Sequence, residues 1–299
     1  MHFSALHLGL LALITLAAAI VNGLLGHGFS SLTVPLGLLL TTNRVLNPIL
    51  VLLEVPLNLG ACLSSLRHFP KVARRILPFA LALLPGILLG ALALRLIAAG
   101  PLKLASYALL LPLVLISAVG GTKPRGGGGR GAALFGFGTG LLYGLTTISG
   151  PTLSIYFHGQ GFAKAEYRAA ISALRLLEST LTALVYLALG MLPSASVSSA
   201  APLLPGVLVG LTIGAFLHGH VSEEGFRRAA VIFNVFTVSF GLSRALAGSA
   251  LLPEWAGQLT WVALATLSLW ALVEQAPRLR RLVSGSALPA TPDPDGEAA

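Results

Sequence analysis

Two glutamates, Glu54 and Glu178, stand inside long apolar runs, and Arg175 precedes the second by one helical turn. An ionisable side chain at membrane depth is expensive and is by default a candidate for carrying a proton, an ion or a substrate. Residues three apart share a helix face, so Arg175 and Glu178 also read as a buried ion pair. Glu54 has no such neighbour, since Arg44 is too far along the same helix. Its alternative to proton coupling is a protonated carboxyl hydrogen-bonded within a bundle. A second group is made of hydroxyls beside glycine and proline. Ser30, Ser31 and Thr33 follow Gly28, and Thr146, Thr147, Ser149 and Thr152 surround Gly150 and Pro151. Such hydroxyls often bond only their own helix or a neighbouring one. Clustered beside glycine and proline, they read as a lining. The start of a half-helix offers N–H groups and a positive dipole end to an anion, and glycine lets backbone approach it closely. The candidate substrate-binding set is therefore Gly28, Ser30, Ser31, Thr146, Thr147, Ser149, Gly150 and Pro151. The single Cys62 excludes a disulfide framework and a cysteine-based metal site, and neither a metal nor a cofactor is expected.

These residues lie where apolar sequence is interrupted. The central stretch is GFGTGLLYGLTTISGPTLSIY, Gly136 to Tyr156, and a looser relative, NGLLGHGFSSLTVPLGL, begins at Asn22. Lipid offers no water to unpaired backbone groups, so broken helix there must be buried in protein or lie beside a watery cavity. Gly- and Pro-interrupted segments at matching places in two halves point to a transporter's binding site. The whole composition agrees. Of 299 residues, 55% are hydrophobic and 10% charged, with a mean hydropathy of +0.87. Soluble domains carry about 25% charged residues. Apolar spans fall near 4–24, 46–66, 76–97, 101–120, 132–148, 169–191, 201–219, 226–248 and 256–274, with shorter pieces near 30–40 and 150–158. A crossing needs roughly 20 residues, so the short pieces suit half-helices or re-entrant segments. The net charge of +9 is read as basic loops facing anionic lipid rather than as a nucleic-acid surface. The first span lacks a basic leader and is followed by others, so it is expected to be retained.

The chain reads as a duplication. Arg44 precedes Glu54 by ten residues, as Arg168 precedes Glu178, and each glutamate follows two leucines. PGILLG (Pro85 to Gly90) matches PGVLVG (Pro205 to Gly210). The expected organisation is a first membrane repeat over 1–121, a basic Gly-rich cytoplasmic linker over 122–130, a second repeat over 131–250, one more transmembrane helix over 251–276 and a disordered tail over 277–299. Charge decides the orientation. If each broken stretch enters and leaves on one side, 14 basic residues share a side: Arg67, Lys71, Arg74, Arg75, Lys123, Arg125, Arg130, Lys164, Arg168, Arg227, Arg228, Arg278, Arg280 and Arg281. Only four, Arg44, Arg95, Lys103 and Arg244, are opposite. The positive-inside rule then favours an all-α polytopic membrane protein with two inverted repeats, N-terminus outside and C-terminus in the cytoplasm. Each repeat would hold a broken or re-entrant helical hairpin plus about three transmembrane helices.

His27 and His158 flank the two stretches. Ser149 with His158 permits an alternative, an intramembrane serine hydrolase, but TISGP lacks the glycine two residues before the serine that a rhomboid-like site has. Over its membrane region the chain resembles the TauE/SafE sulfite-exporter family. GLLYGLTTISGPTLSIYFHGQGFAKAEYRAAISAL carries the likeness best, supported by GLLGHGFSSLTVPLGLLL and the RHFPKVARR loop. Ser30 and Ser31 stand where the family often has glycine. The resemblance implies a non-enzymatic, multi-pass protein of a bacterial inner membrane. It implies export of a small sulfur-containing anion such as sulfite or an organosulfonate. Alternating access is the expected mechanism, with proton coupling through Glu54 or Glu178, and a passive channel-like path is the competing one. The expected partners are the small anion and the lipid bilayer, without nucleic acid; the sequence leaves the oligomeric state open.

Overall fold

A computed structural model describes residues 4–119, 129–158, 160–217, 220, 223–249 and 253–283. Among these, every regular element is a helix. The first half contains α1 (Ala5–Leu25), α2 (Phe29–Leu40), α3 (Asn43–Leu63), α4 (Phe69–Leu96) and α5 (Ala99–Val119). The second contains α6 (Gly129–Thr146), α7 (Gly150–His158), α8 (Lys164–Ala188), α9 (Ser194–Ala200), α10 (Leu204–Leu217) and α11 (Glu223–Gly248), followed by α12 (Glu254–Val283). Among the described residues six helices are long and apolar enough to cross a membrane, or seven if α9 and α10, bent by 43°, count as one span. At 1.5 Å per residue, α2 and α7 reach only about 18 and 14 Å, against a hydrocarbon core of about 30 Å.

Two expected boundaries move. Gly129 and Arg130 belong to α6 rather than to the linker, because the helical pattern already starts there; 122–128 lie outside the described residues. Helix α12 continues through Pro277 to Val283, past the expected end of the last span at 276. The tail expected to be disordered from 277 therefore begins as helix, and 284–299 lie outside the described residues.

The two breaks have local causes. Helix α1 stops at Gly26, whose φ of 76° is left-handed, and its N–H closes onto Asn22 O. Gly28, with φ 111°, then starts α2. Left-handed backbone ends a helix and costs glycine nothing. Helix α6 ends the same way at Thr147, the only left-handed non-glycine among the described residues, with φ 59°. Pro151 sits in the first turn of α7 and Pro205 in the first turn of α10, where a missing N–H has no intrahelical role.

Packing exchanges helices between the halves: α4 lies along α6, and α1 along α10. Glycines make both seams close. A Cβ at Gly86 would lie 2.2 Å from Phe137 O, and one at Gly90 2.3 Å from Leu141 O. In the other seam a Cβ at Gly23 would lie 2.3 Å from Leu211 O, and one at Gly214 2.1 Å from Ile20 O. Residue numbers rise together along each seam, so the paired helices run in the same direction. The C-terminal ends of α1 and α3 both reach Leu211, whereas Asn47, near the start of α3, donates to Leu145 O at the end of α6. Each half-helix has its own apolar surround. Phe29, Leu32, Val34 and Leu38 of α2 pack with α1, α3 and Tyr107 of α5. Leu153 and Phe157 of α7 pack with α4 and α8.

Candidate functional site

The two short helices begin beside each other. A Cβ at Gly150, the first residue of α7, would lie 3.4 Å from Ser31 Oγ in the first turn of α2. Both starts are therefore brought to one place by the breaks. The first turn of a helix leaves N–H groups without intrahelical partners, and no side chain caps α2. Ser30, Thr146, Thr147, Ser149, Gly150 and Pro151 are buried, while Ser31 is 8% exposed and Gly28 is partly exposed.

The hydroxyls divide into two kinds. Thr33 donates to Phe29 O, Thr146 to Leu142 O, Thr147 to Thr146 O and Thr152 to Ser149 O. Those four serve their own backbone. Ser30 Oγ and Ser149 Oγ are buried without a completed hydrogen bond, although Ser30 faces the Glu54 carboxyl and Ser149 that of Glu178. Buried polar atoms are nearly always paired, so these two hydroxyls stand out at the junction.

Glu54 on α3 and Glu178 on α8 are both fully buried and act on each other electrostatically. Tyr143 of α6 donates to Glu54 Oε2, leaving Oε1 without a partner. Neither oxygen of Glu178 has a partner. Arg175 is within electrostatic reach of both carboxyls. The hydrogen-bonded Arg175–Glu178 pair that their spacing suggests is not formed. Arg175 Nη1 donates instead to Asn22 Oδ1 at 3.0 Å, because α1 delivers an amide acceptor to it from across the bundle. Arg175 Nε and Nη2 are buried without partners. Asn58 of α3 ties the helices here by donating to Arg175 O and Ser179 Oγ. The His158 side chain lies outside the described residues, and among the described residues no His, Cys, Asp and Glu group could hold a metal.

Two residues of the cluster were missed in the sequence, Tyr143 and Asn22. A signal for both exists: each immediately precedes a glycine, Gly144 or Gly23, shortly before its break.

Buried charge beside two interrupted helices, in a bundle with membrane-length helices, defines a polytopic membrane protein of transporter type. The family Sulfite exporter TauE/SafE matches over residues 11–241, and the chain belongs to it: a multi-pass membrane protein of a family that exports sulfite and related small anions. Neither the curated proteins nor the solved structures contain a match.

Proposed function

We propose that this protein exports sulfite or an organosulfonate by alternating access through the junction of α2 and α7. The observation that carries the reading is the meeting of Gly150 with Ser31, flanked by the unpartnered hydroxyls of Ser30 and Ser149. Backbone N–H groups around Gly28 and Gly150 receive the anion's oxygens, and Ser30, Ser31 and Ser149 complete its shell. Thr146, Thr147 and Pro151 fix the second break, and Glu54 or Glu178 couples the anion to a proton.

The halves are inverted repeats in this reading. Their exchanged seams support it, as does the course of α3 with α1 but against α6. Charge supports it as well. Arg75 donates to Gln160 O and stacks over Phe162, which joins the two basic loops expected in the cytoplasm. Arg44 bonds Leu94 O, Arg95 O and Ile97 O, and Lys103 is near Arg244, which gathers the four basic residues expected outside. Cysteine-accessibility labelling in whole cells should place Arg74 and Arg280 together in the cytoplasm, opposite Pro193 to Ala200; finding them on opposite sides rejects the inversion.

The site is tested by Gly150→Val, with anion affinity measured by calorimetry on monodisperse protein. A valine there meets Ser31 and fills the approach to the backbone, so binding is lost while the seams still fold. Wild-type affinity in folded Gly150→Val would put the site elsewhere.

A further inference from the structure

We propose that Arg175 anchors the transported anion through the Nε–Nη2 edge of its guanidinium, and that seating the anion draws a proton onto Glu178. This rests on the α2–α7 junction being the substrate site. Arg175 is 2% exposed, and only Nη1 has a partner, Asn22 Oδ1. The two nitrogens left over, Nε and Nη2, form one edge of the planar fork. That edge binds two oxygens of an oxyanion side by side. Asn22 holds the opposite corner and so fixes the plane of the group. A sulfonate or sulfite has three oxygens. Two take the arginine edge, and the third is left for an unpartnered serine hydroxyl, Ser149 or Ser30.

Charge then dictates the proton. The charged and titratable groups acting on Glu178 are Glu54 of α3, Arg175 of its own helix and Tyr143 of α6. Neutral polar groups beside the cluster include Asn22 of α1, Ser30 of α2 and Ser149 just before α7. With both carboxylates ionised the cluster carries one net negative charge and repels a monoanion. Taking up one proton with the anion restores the starting charge. Glu54 already has the Tyr143 hydroxyl as donor to its charge, whereas Glu178 has only the Ser149 hydroxyl nearby and no completed hydrogen bond on either oxygen. An ionised carboxylate left without donors in a dry site is costly, and the protonated acid can itself donate to Ser149 or the anion. The balance is Glu178 carboxylate plus proton plus anion giving Glu178 acid and bound anion, with no other bond changed. Anion and proton thus occupy the site together and cross in the same direction, which makes the transport of a monoanion electroneutral.

The probe is methanesulfonate, whose own charge does not change across neutral pH. Calorimetry of wild-type protein in buffers of different ionisation enthalpy should give uptake of about one proton per anion, with affinity rising as pH falls. Glu178→Gln should bind with little pH dependence. Arg175→Lys, which keeps the charge and loses the fork, should weaken binding roughly 10-fold or more. Zero or negative proton uptake by wild type overturns the proposal, as does an Arg175→Lys affinity within about twofold of wild type or an absence of methanesulfonate binding to wild type. The two readings fail differently. Normal binding by folded Gly150→Val rejects the junction as the site; lost binding there with normal binding by Arg175→Lys rejects only the arginine.

Discussion

In the first half the chain leaves α1 through two left-handed glycines, Gly26 and Gly28; in the second it leaves α6 through Thr147. Glu54 in the first half is held by Tyr143, while Glu178 in the second faces the Ser149 hydroxyl without a completed hydrogen bond. Asn22, which precedes a glycine before the first break as Tyr143 does before the second, serves Arg175 instead. One pair of matching positions along the seams differs too. Gly86 is pressed onto the backbone of α6, but the matching Gly206 has open space where its Cβ would be. Backbone plan and polar chemistry have therefore separated. Each half carries a break, and both halves contribute unpartnered groups: Ser30 Oγ and Glu54 Oε1 from the first, Ser149 Oγ, the Glu178 carboxyl and the Arg175 edge from the second. The two carboxyls beside Arg175 are thus held unequally, Glu54 by a tyrosine and Glu178 by no completed hydrogen bond.

The largest expected effect tests the seams. Gly86→Val drives a side chain into Phe137 O and should cost about 3 kcal/mol or more, abolishing most monodisperse protein in size-exclusion chromatography. Gly206→Val should keep nearly wild-type yield. Equal losses from both would mean that Gly206 is as confined as Gly86.

Next comes the contrast between the carboxyls. Tyr143→Phe removes the donor to a buried Glu54 and should destabilise by about 1–3 kcal/mol, seen as a lower melting temperature in detergent. Adding Glu54→Gln to that variant should recover part of the loss, since an unpartnered neutral amide costs less than an unpartnered carboxylate. Glu178→Gln breaks no hydrogen bond, and Arg175 keeps Glu54 as its counter-charge, so yield should survive while proton-coupled transport fails. A Glu178→Gln protein that folds poorly, and is rescued by Arg175→Leu, would restore the simple ion pair.

A smaller effect separates the two kinds of hydroxyl. Ser149→Ala should weaken anion binding about 2- to 13-fold, corresponding to one neutral hydrogen bond of about 0.5–1.5 kcal/mol. Its melting temperature should hardly move. Thr152→Val, which loses only a bond to its own helix, should leave affinity unchanged. Matching affinity losses would show that both hydroxyls reach the anion.

The smallest concerns the breaks. Left-handed backbone costs a non-glycine residue roughly 1–2 kcal/mol, and extra chain entropy offsets about 0.5–1 kcal/mol of what glycine regains. Thr147→Gly should thus stabilise by about 1 kcal/mol or less, whereas Gly26→Ala should destabilise. Thermal melts of the two variants should shift in opposite directions; shifts of the same sign would mean that the Thr147 side chain supports the break by more than its backbone costs.

The sequence by itself determined the class, the helical spans, the two interruptions and the residues worth suspecting. Bilayer physics works on composition and length, which any stretch of chain displays locally. Gly28, Gly150, Ser30, Ser149, Glu54, Arg175 and Glu178 were legible for that reason: polar or flexible residues are conspicuous in apolar sequence. Partnership was not legible. Spacing along α8 suggested Arg175 with Glu178, because that neighbourhood is local, yet the acceptor that reaches Arg175 is Asn22, 153 residues away. Tyr143 likewise finds Glu54 across 89 residues. Only the exchange of helices between the halves brings α1 to α8 and α6 to α3, and it is set by glycine seams whose closeness depends on both surfaces at once. Tertiary structure therefore decided which hydroxyls were already satisfied, which carboxyl had a donor and which edge of Arg175 was left open.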